Sequence, residues 1–126
     1  MKQIIYTKDA PEPIGPYSQA VRYGNFLYTS GQIAINPETG ALTEGNIEEE
    51  THQVMLNLKA VLKAAGMTFQ HVIKASIFIT DMGDFGAINS VYGSYFDGET
   101  APARETVQVA RLPKDVRVEI SVIAAE

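Results

Sequence analysis

The stretch "NIEEETHQVMLNLKAVLKAAG", residues 46–66, indicates the fold most clearly. Asn46 is a residue type that caps helix N-termini, and Glu49 three positions later completes a capping box. Gly66 is a typical residue just beyond a helix C-terminus. Between them, apolar residues recur every three or four positions: Ile47, Val54, Leu58, Val61, Leu62 and Ala65. The spacing predicts one amphipathic helix that covers one face of another element.

Strands are predicted on both sides of this helix. Upstream, "MKQIIYT" (1–7) indicates a short strand, and two apolar runs around Gly24-Asn25 indicate a tight hairpin, because this dipeptide tolerates positive φ. Downstream, "HVIKASIFIT" (71–80) indicates a long strand. The order is completed by a second helix and two final strands: "DFGAINSVYGSYFDG" (84–98), "APARETVQVARLP" (101–113) and "VRVEISVIAA" (116–125).

The resulting order of strands, helix, strand, helix and two strands predicts an α+β fold. Two helices can cover only one face of such a sheet. The long strand has apolar residues on both faces: Ile73, Ala75, Ile77 and Ile79 on one face, Val72 and Phe78 on the other. Because a monomer would expose this surface, the sequence predicts a symmetric homo-oligomer.

Length, composition and charge narrow the class of protein. The chain has 126 residues, 45% of them hydrophobic and 20% charged, which predicts a single domain over residues 1–126. A net charge of −5 and scattered basic residues argue against nucleic-acid binding. The absence of cysteine excludes disulfides and thiolate chemistry. No apolar run fits a signal peptide or a membrane span, so a cytoplasmic protein is expected.

The strand at 101–113 carries the clearest polar pattern, with Arg104, Thr106 and Gln108 on one face. If the last two strands form an antiparallel hairpin, these residues lie beside Glu119 and Ser121. An arginine binds a carboxylate through a rigid fork of donors, and a nearby glutamate can deprotonate a water. The spacing also fits a structural cross-strand Arg–Glu ion pair at a subunit interface, and by itself it favours that interpretation.

Other polar residues give weaker signals. Tyr17 lies in a Gly-Pro-Tyr loop, Ser30 and Gly31 end a strand, and Asn89 lies on the second helix; each also fits ordinary packing, turn or capping roles. The two histidines, at positions 52 and 71, have no second ligand at a suitable spacing, so no metal site is predicted. No G-x-S-x-G, G-x-x-x-x-G-K or G-x-G-x-x-G motif occurs.

Several motifs together resemble one known family over essentially the whole chain. They occur in the following order: "IGPYSQAV" (14–21), "YTSGQI" (28–33), "FITDMGDFGAIN" (78–89), "PAR" (102–104), "VARLP" (109–113) and "VEI" (118–120). On these motifs the chain is identified as similar to the Rid proteins, reactive-intermediate (enamine/imine) deaminases, in their RidA-type subgroup.

The resemblance implies a chorismate-mutase-like α+β fold and a homotrimer with sites between subunits. It implies hydrolysis, without a cofactor, of the 2-imino acids that pyridoxal-phosphate-dependent serine and threonine dehydratases release: 2-aminoacrylate, 2-iminobutanoate and 2-iminopropanoate. The products are 2-keto acids and ammonia. By similarity Arg104 binds the substrate carboxylate and Glu119 activates water. Further pocket residues are also implied: Tyr17, Ser30, Gly31, Asn89 and Thr106.

Three positions depart from the family pattern. Thr106 stands where many members have cysteine, Glu105 where a small residue is usual, and Ser121 where a small or acidic residue is usual. A buried Glu105 would be costly, so the strand is expected to begin one residue after Arg104. Two alternative functions remain: a non-catalytic trimer that senses 2-keto acids, and a ribonuclease or translation inhibitor, which the acidic charge disfavours.

Overall fold

The computed structural model describes residues 1–126 and contains one six-stranded mixed sheet with two helices packed on one face. None of its helices has the length and apolar character needed to cross a bilayer. The strand order is β1-β2-β3-β6-β4-β5, with only β4 and β5 parallel. The predicted α+β architecture is confirmed. The elements are β1 (Gln3–Ile5), β2 (Ala20–Tyr23), β3 (Phe26–Thr29), α1 (Ile47–Ala64), β4 (Val72–Ile79), α2 (Phe85–Gly93), β5 (Ala103–Gln108) and β6 (Val118–Ala125).

Helix α1 has the predicted ends and the predicted buried stripe. The backbone N–H of Glu49 donates to Asn46 Oδ1 at 2.8 Å, and the Glu49 side chain accepts from the Asn46 N–H. Gly66 follows the helix with φ of +74°, a left-handed conformation that glycine adopts without strain. Every residue of the predicted stripe is buried in the core between the helices and the sheet: Ile47, Val54, Leu58, Val61, Leu62 and Ala65.

The predicted hairpin is also confirmed. Tyr23 pairs with Phe26, so Gly24 and Asn25 form a two-residue turn between β2 and β3. Gly24 has φ of +60°, as such a tight turn requires. Helix α2, in contrast, is shorter than the predicted 84–98. It ends at Gly93, and Tyr95 then packs on Phe69 with ring centroids 5.4 Å apart.

A β-bulge in β4 changes one predicted face. Val72 pairs with Ala124 and Lys74 with Ile123, which leaves Ile73 without a partner. The extra residue reverses the alternation of side chains before it. Val72 is therefore buried with the helix-facing residues, while Ile73 is 47% exposed. The expectation that Ile73 shares a face with Ala75 is wrong for this reason.

The predicted hairpin of the last two strands is wrong. β4 lies between β5 and β6, parallel to β5 and antiparallel to β6. The link between β5 and β6, residues 109–117, passes the end of β4 instead of forming a tight turn, and the Arg117 carbonyl accepts from the Thr80 N–H. The physical reason is that the helix-covered face of β4 is wholly apolar and buried, which suits the interior of the sheet, whereas the polar β5 suits an edge.

The face of the sheet opposite the helices, called here the open face, is not covered by any element of the chain. Tyr28 and Val107 point to this face and are 48% and 42% exposed. The other exposed apolar residues of the open face are Ile4, Tyr23 and Phe26. Exposed apolar side chains grouped on one face of a sheet are typical of a surface that packs against another protein.

Candidate active site

Arg104 lies on the edge strand β5 and points toward the helices. Its strand neighbour is Ala75, a fully buried residue of the helix-covered face. The guanidinium Nη1 donates to Asn89 Oδ1 on α2 at 2.6 Å. Its Cζ lies 5.7 Å from the ring centre of Phe85 and 5.2 Å from that of Tyr92. Arg104 is itself exposed, so a cationic fork is presented at the surface beside two aromatic rings.

Two buried hydroxyl groups lie beside this arginine without a hydrogen-bond partner. They belong to Thr106, two residues further along the same face of β5, and to Tyr92. Burial raises the pKa of the Tyr92 hydroxyl above its ordinary value, although the nearby Arg104 charge acts in the opposite direction. Buried hydroxyls are normally hydrogen-bonded, so the unpaired Thr106 hydroxyl, on the same strand face as Arg104, is available to a bound ligand.

Glu119 is the second residue of β6 and lies on the open face, beside Phe78 of β4. Its carboxyl group is half-buried, and this burial raises its pKa above the ordinary glutamate value. Gly31 lies against it: a Cβ at Gly31 would come within 2.7 Å of Glu119 Cδ. The carboxylate therefore has a fixed neighbour on one side and the solvent of a cavity on the other.

The cavity beside Glu119 has a volume of about 450 Å³. Its wall includes Tyr17, Ser30 and Gly31, the residues that the resemblance assigns to the pocket. Ser30 Oγ donates to the Ser18 carbonyl at 2.6 Å, which fixes the end of β3. The loop before β2 is held in place by the buried Gln19 side chain, which donates to the carbonyls of residues 7, 10 and 11. Lys114 also lines this cavity.

The predicted site residues thus form two groups on opposite faces of the sheet. Arg104, Asn89 and Thr106 lie on the helix-covered side of the edge strand, and this group is called here the arginine group. Tyr17, Ser30, Gly31 and Glu119 lie around the open-face cavity and are called here the glutamate group. The expectation that Arg104, Thr106 and Gln108 lie beside Glu119 and Ser121 is wrong, because β4 separates their strands and alternation directs Arg104 and Glu119 to opposite faces.

Glu105 is not buried, contrary to the concern raised by its sequence position. β5 begins at Ala103, so the expectation of a later start is wrong, and alternation places Glu105 on the open face. Lys74 Nζ lies 2.8 Å from its carboxylate, and the Ser76 hydroxyl donates to it. The hydrogen bonds from Lys74 and Ser76, in that order of effect, lower the Glu105 pKa. This exposed group is part of the open face and does not disturb Arg104.

Two features of the candidate site were not predicted from the sequence: the aromatic contacts of Arg104 and the position of Lys114 in the cavity wall. Phe85 and Tyr92 contact Arg104, a relation signalled only by their spacing with Asn89 on one helix face. Lys114 lines the cavity with φ of +57°, and nothing in its sequence context marks it. No group of three or more histidine or acidic side chains is close enough to hold a metal ion.

Fold and site together define a small α+β protein with a candidate carboxylate-binding arginine at the edge of its sheet. A family model described as endoribonuclease L-PSP matches residues 7–126. The chain belongs to this family, which includes the Rid proteins, so the resemblance is confirmed.

Two relatives and two solved structures illustrate the similarity. A RutC family protein of Pyrococcus horikoshii is 53% identical over 98% of both chains. The mouse 2-iminobutanoate/2-iminopropanoate deaminase is 45% identical over all of this chain and 93% of its own. The Rid protein YyfA of Yersinia pestis is 50% identical with a TM-score of 0.97 over all of both chains. E. coli TdcF, solved with bound serine, is 45% identical with a TM-score of 0.92 over 98% of both.

Proposed function

We propose that this protein is a hydrolytic deaminase of reactive 2-imino acids and their enamine tautomers. Its substrates are 2-aminoacrylate, 2-iminobutanoate and 2-iminopropanoate. Water adds to the C=N carbon, the C–N bond breaks, and a 2-keto acid and ammonia leave. No cofactor takes part. The enzyme acts in the cytoplasm on imines released by pyridoxal-phosphate-dependent serine and threonine dehydratases.

The single observation that carries this proposal is the fixed, exposed guanidinium of Arg104. It is the group best suited to a small 2-imino carboxylate, because a planar fork of donors matches a carboxylate in two parallel hydrogen bonds. Asn89 holds it through Nη1 at 2.6 Å and leaves its other donors free. Binding of the carboxylate orients the adjacent imine carbon, which supports catalysis by positioning.

Glu119 supplies the group that activates water. A carboxyl whose pKa is raised by burial is a better proton acceptor near neutral pH than an ordinary one. Glu119 takes a proton from water as the oxygen attacks the imine carbon. Glu119 returns this proton to the nitrogen of the carbinolamine. As the C–N bond breaks and ammonia leaves, the Glu119 carboxylate accepts the proton of the carbinolamine hydroxyl, whose oxygen becomes the keto oxygen.

The separation of Arg104 and Glu119 supports a site built between subunits. Each chain carries an arginine group and a glutamate group. Neither group alone contains both the residue that binds the carboxylate, Arg104, and the residue that activates water, Glu119. The exposed apolar open face, which includes Tyr28 and Val107, supports packing of chains through this surface. A homotrimer, the assembly that the resemblance implies, brings the arginine group of one chain to the glutamate group of its neighbour.

Non-catalytic binding of small carboxylic acids is the second candidate function. The TdcF structure with bound serine favours it, since that relative accommodates an amino acid. Such a sensor needs Arg104 but not Glu119. The description of the family model as an endoribonuclease points to RNA cleavage, but a net charge of −5 opposes binding of an RNA backbone.

The test is to generate 2-aminoacrylate and 2-aminocrotonate in situ with a serine/threonine dehydratase and to follow keto-acid and ammonia release. The wild type is expected to accelerate release, whereas Arg104→Ala and Glu119→Gln are expected to be inactive while keeping the wild-type oligomeric state. Arg104→Lys keeps the charge without the fork, and Glu48→Gln is the control for loss of an exposed carboxylate. Release at the uncatalysed rate with wild type, together with calorimetric binding of 2-oxobutanoate, would establish the sensor instead.

A further inference from the structure

One face of helix α2 is directed at Arg104. Phe85, Asn89 and Tyr92 follow one another at steps of four and three residues, so they share that face. Asn89 accepts a hydrogen bond from Nη1 of Arg104, while the two aromatic residues contact the guanidinium through their rings. The family resemblance assigns a role to Asn89 but none to the two rings.

The guanidinium lies close to both rings. Phe85 and Tyr92 are seven residues, about 10.5 Å, apart along the helix, and Cζ is 5.7 Å from one ring centre and 5.2 Å from the other. Both distances are within the range of a cation–π interaction. A free arginine side chain samples many rotamers, and contacts from two rings and one amide restrict it to few.

The two rings are themselves held firmly. Tyr92 is 5% exposed and packs on Phe96 with ring centres 4.8 Å apart. Its hydroxyl has no hydrogen-bond partner, so its contribution to Arg104 comes from the ring. Phe85 is half-buried and packs against the core. Rigid rings on a rigid helix are suitable supports for a flexible cationic side chain.

We propose that Phe85 and Tyr92 are positioning residues that fix the plane of the Arg104 guanidinium for the substrate carboxylate. The rings do not touch the substrate; they act through Arg104. This inference rests on the proposed carboxylate-binding role of Arg104. Because the carboxylate is bound alike in the ground state and the transition state, loss of a ring weakens substrate binding more than it slows turnover.

The kinetic test compares Phe85→Leu, Tyr92→Leu and Tyr92→Phe with wild type in the imine hydrolysis assay. Each leucine variant is expected to raise KM about two- to fivefold, the loss of one cation–π contact, with a smaller decrease in kcat. Tyr92→Phe keeps the ring and is expected to restore the wild-type KM. Tyr95→Leu is the matched control, because Tyr95 contacts Phe69 and His52 instead of Arg104.

A second measurement does not depend on catalysis. The order parameter of the Arg104 Nε–Hε group by NMR, assigned with Arg104→Lys, is expected to exceed about 0.6 in wild type and to fall in both leucine variants. Phe85→Leu keeps this test available should the buried Tyr92→Leu variant not fold. A wild type that hydrolyses no imine refutes the proposed function alone. Order parameters that do not change when a ring is removed overturn the positioning role, whatever the activity.

Discussion

The backbone of Gly31 lies against the carboxyl group of Glu119, so that a Cβ at Gly31 would come within 2.7 Å of Glu119 Cδ. This glycine does not have a positive φ, so its backbone conformation is open to other residues. The close approach is what requires glycine here. Real Cβ atoms do not come this near to another side chain, so any larger residue at position 31 displaces the glutamate.

Gly31→Ala is therefore expected to lower kcat for imine hydrolysis about ten- to a hundredfold, because a displacement of about 1 Å at a catalytic group has effects of this size. The thermal unfolding midpoint should change little. Steady-state kinetics and a melting curve measure the two effects. Gly98→Ala is the control, since a Cβ there has no atom within 4 Å. Full activity in Gly31→Ala would show that Glu119 has no fixed catalytic position.

Glu119 is expected to make stability depend on pH. Burial raises its pKa above the ordinary value of 4.5. At pH values between the pKa of Glu119 in the unfolded chain and its raised pKa in the folded protein, the folded protein keeps a proton that the unfolded chain releases. The free energy of unfolding therefore falls as pH rises through this interval. Glu119→Gln, neutral at every pH, should be more stable than wild type above the interval and equal to it below. Denaturant unfolding at about pH 4 and pH 8, at fixed protein concentration, measures this difference. Parallel pH profiles for the two proteins would contradict the expectation.

The open face is expected to be the assembly surface. Val107→Glu places a charge on an apolar residue of this face that is 42% exposed. A carboxylate that must be buried against an apolar partner is costly, so dissociation to monomers and loss of activity are expected. Sedimentation velocity measures the species present. Leu56→Glu, a similarly exposed apolar position on α1, should leave the assembly intact. An unchanged oligomer in Val107→Glu would place the interface elsewhere.

The capping box of α1 is expected to contribute to stability. Asn46→Ala removes the acceptor that binds the Glu49 N–H at 2.8 Å. The expected loss is about 1 kcal/mol in the free energy of unfolding, measured by chemical denaturation. Lys59→Ala, at an exposed position of the same helix, should change stability by less than about 0.5 kcal/mol. Equal effects of the two substitutions would mean that the cap is not stabilising.

Local structure could be predicted well from the sequence. The cap and stripe of α1 follow from residue types at fixed spacing, and the turn at Gly24-Asn25 follows from the φ values that only a few residues adopt. These signals act over a few positions of the chain. The confirmed family membership was likewise contained in short motifs, each weak alone.

Long-range relations could not be predicted in the same way. Alternation in β5 shows which residues share a face with Arg104, but not which strand lies beside β5. The bulge at Ile73 reverses a face without any sign in the residue types. The contacts of Arg104 with Phe85 and Tyr92 depend on how α2 crosses the sheet. The separation of the site into two groups is a property of strand order, which local patterns do not contain.

The placement of Arg104 and Glu119 on opposite faces has a consequence for mixtures of inactive chains. If a site takes Arg104 from one chain and Glu119 from a neighbouring chain, two variants that each lack a different one of these residues can together form an intact site. In randomly mixed oligomers of Arg104→Ala and Glu119→Gln chains at equal amounts, about one quarter of the clefts pair an intact arginine with an intact glutamate. Under the proposed function, two proteins that are inactive alone are expected to recover activity once their subunits exchange.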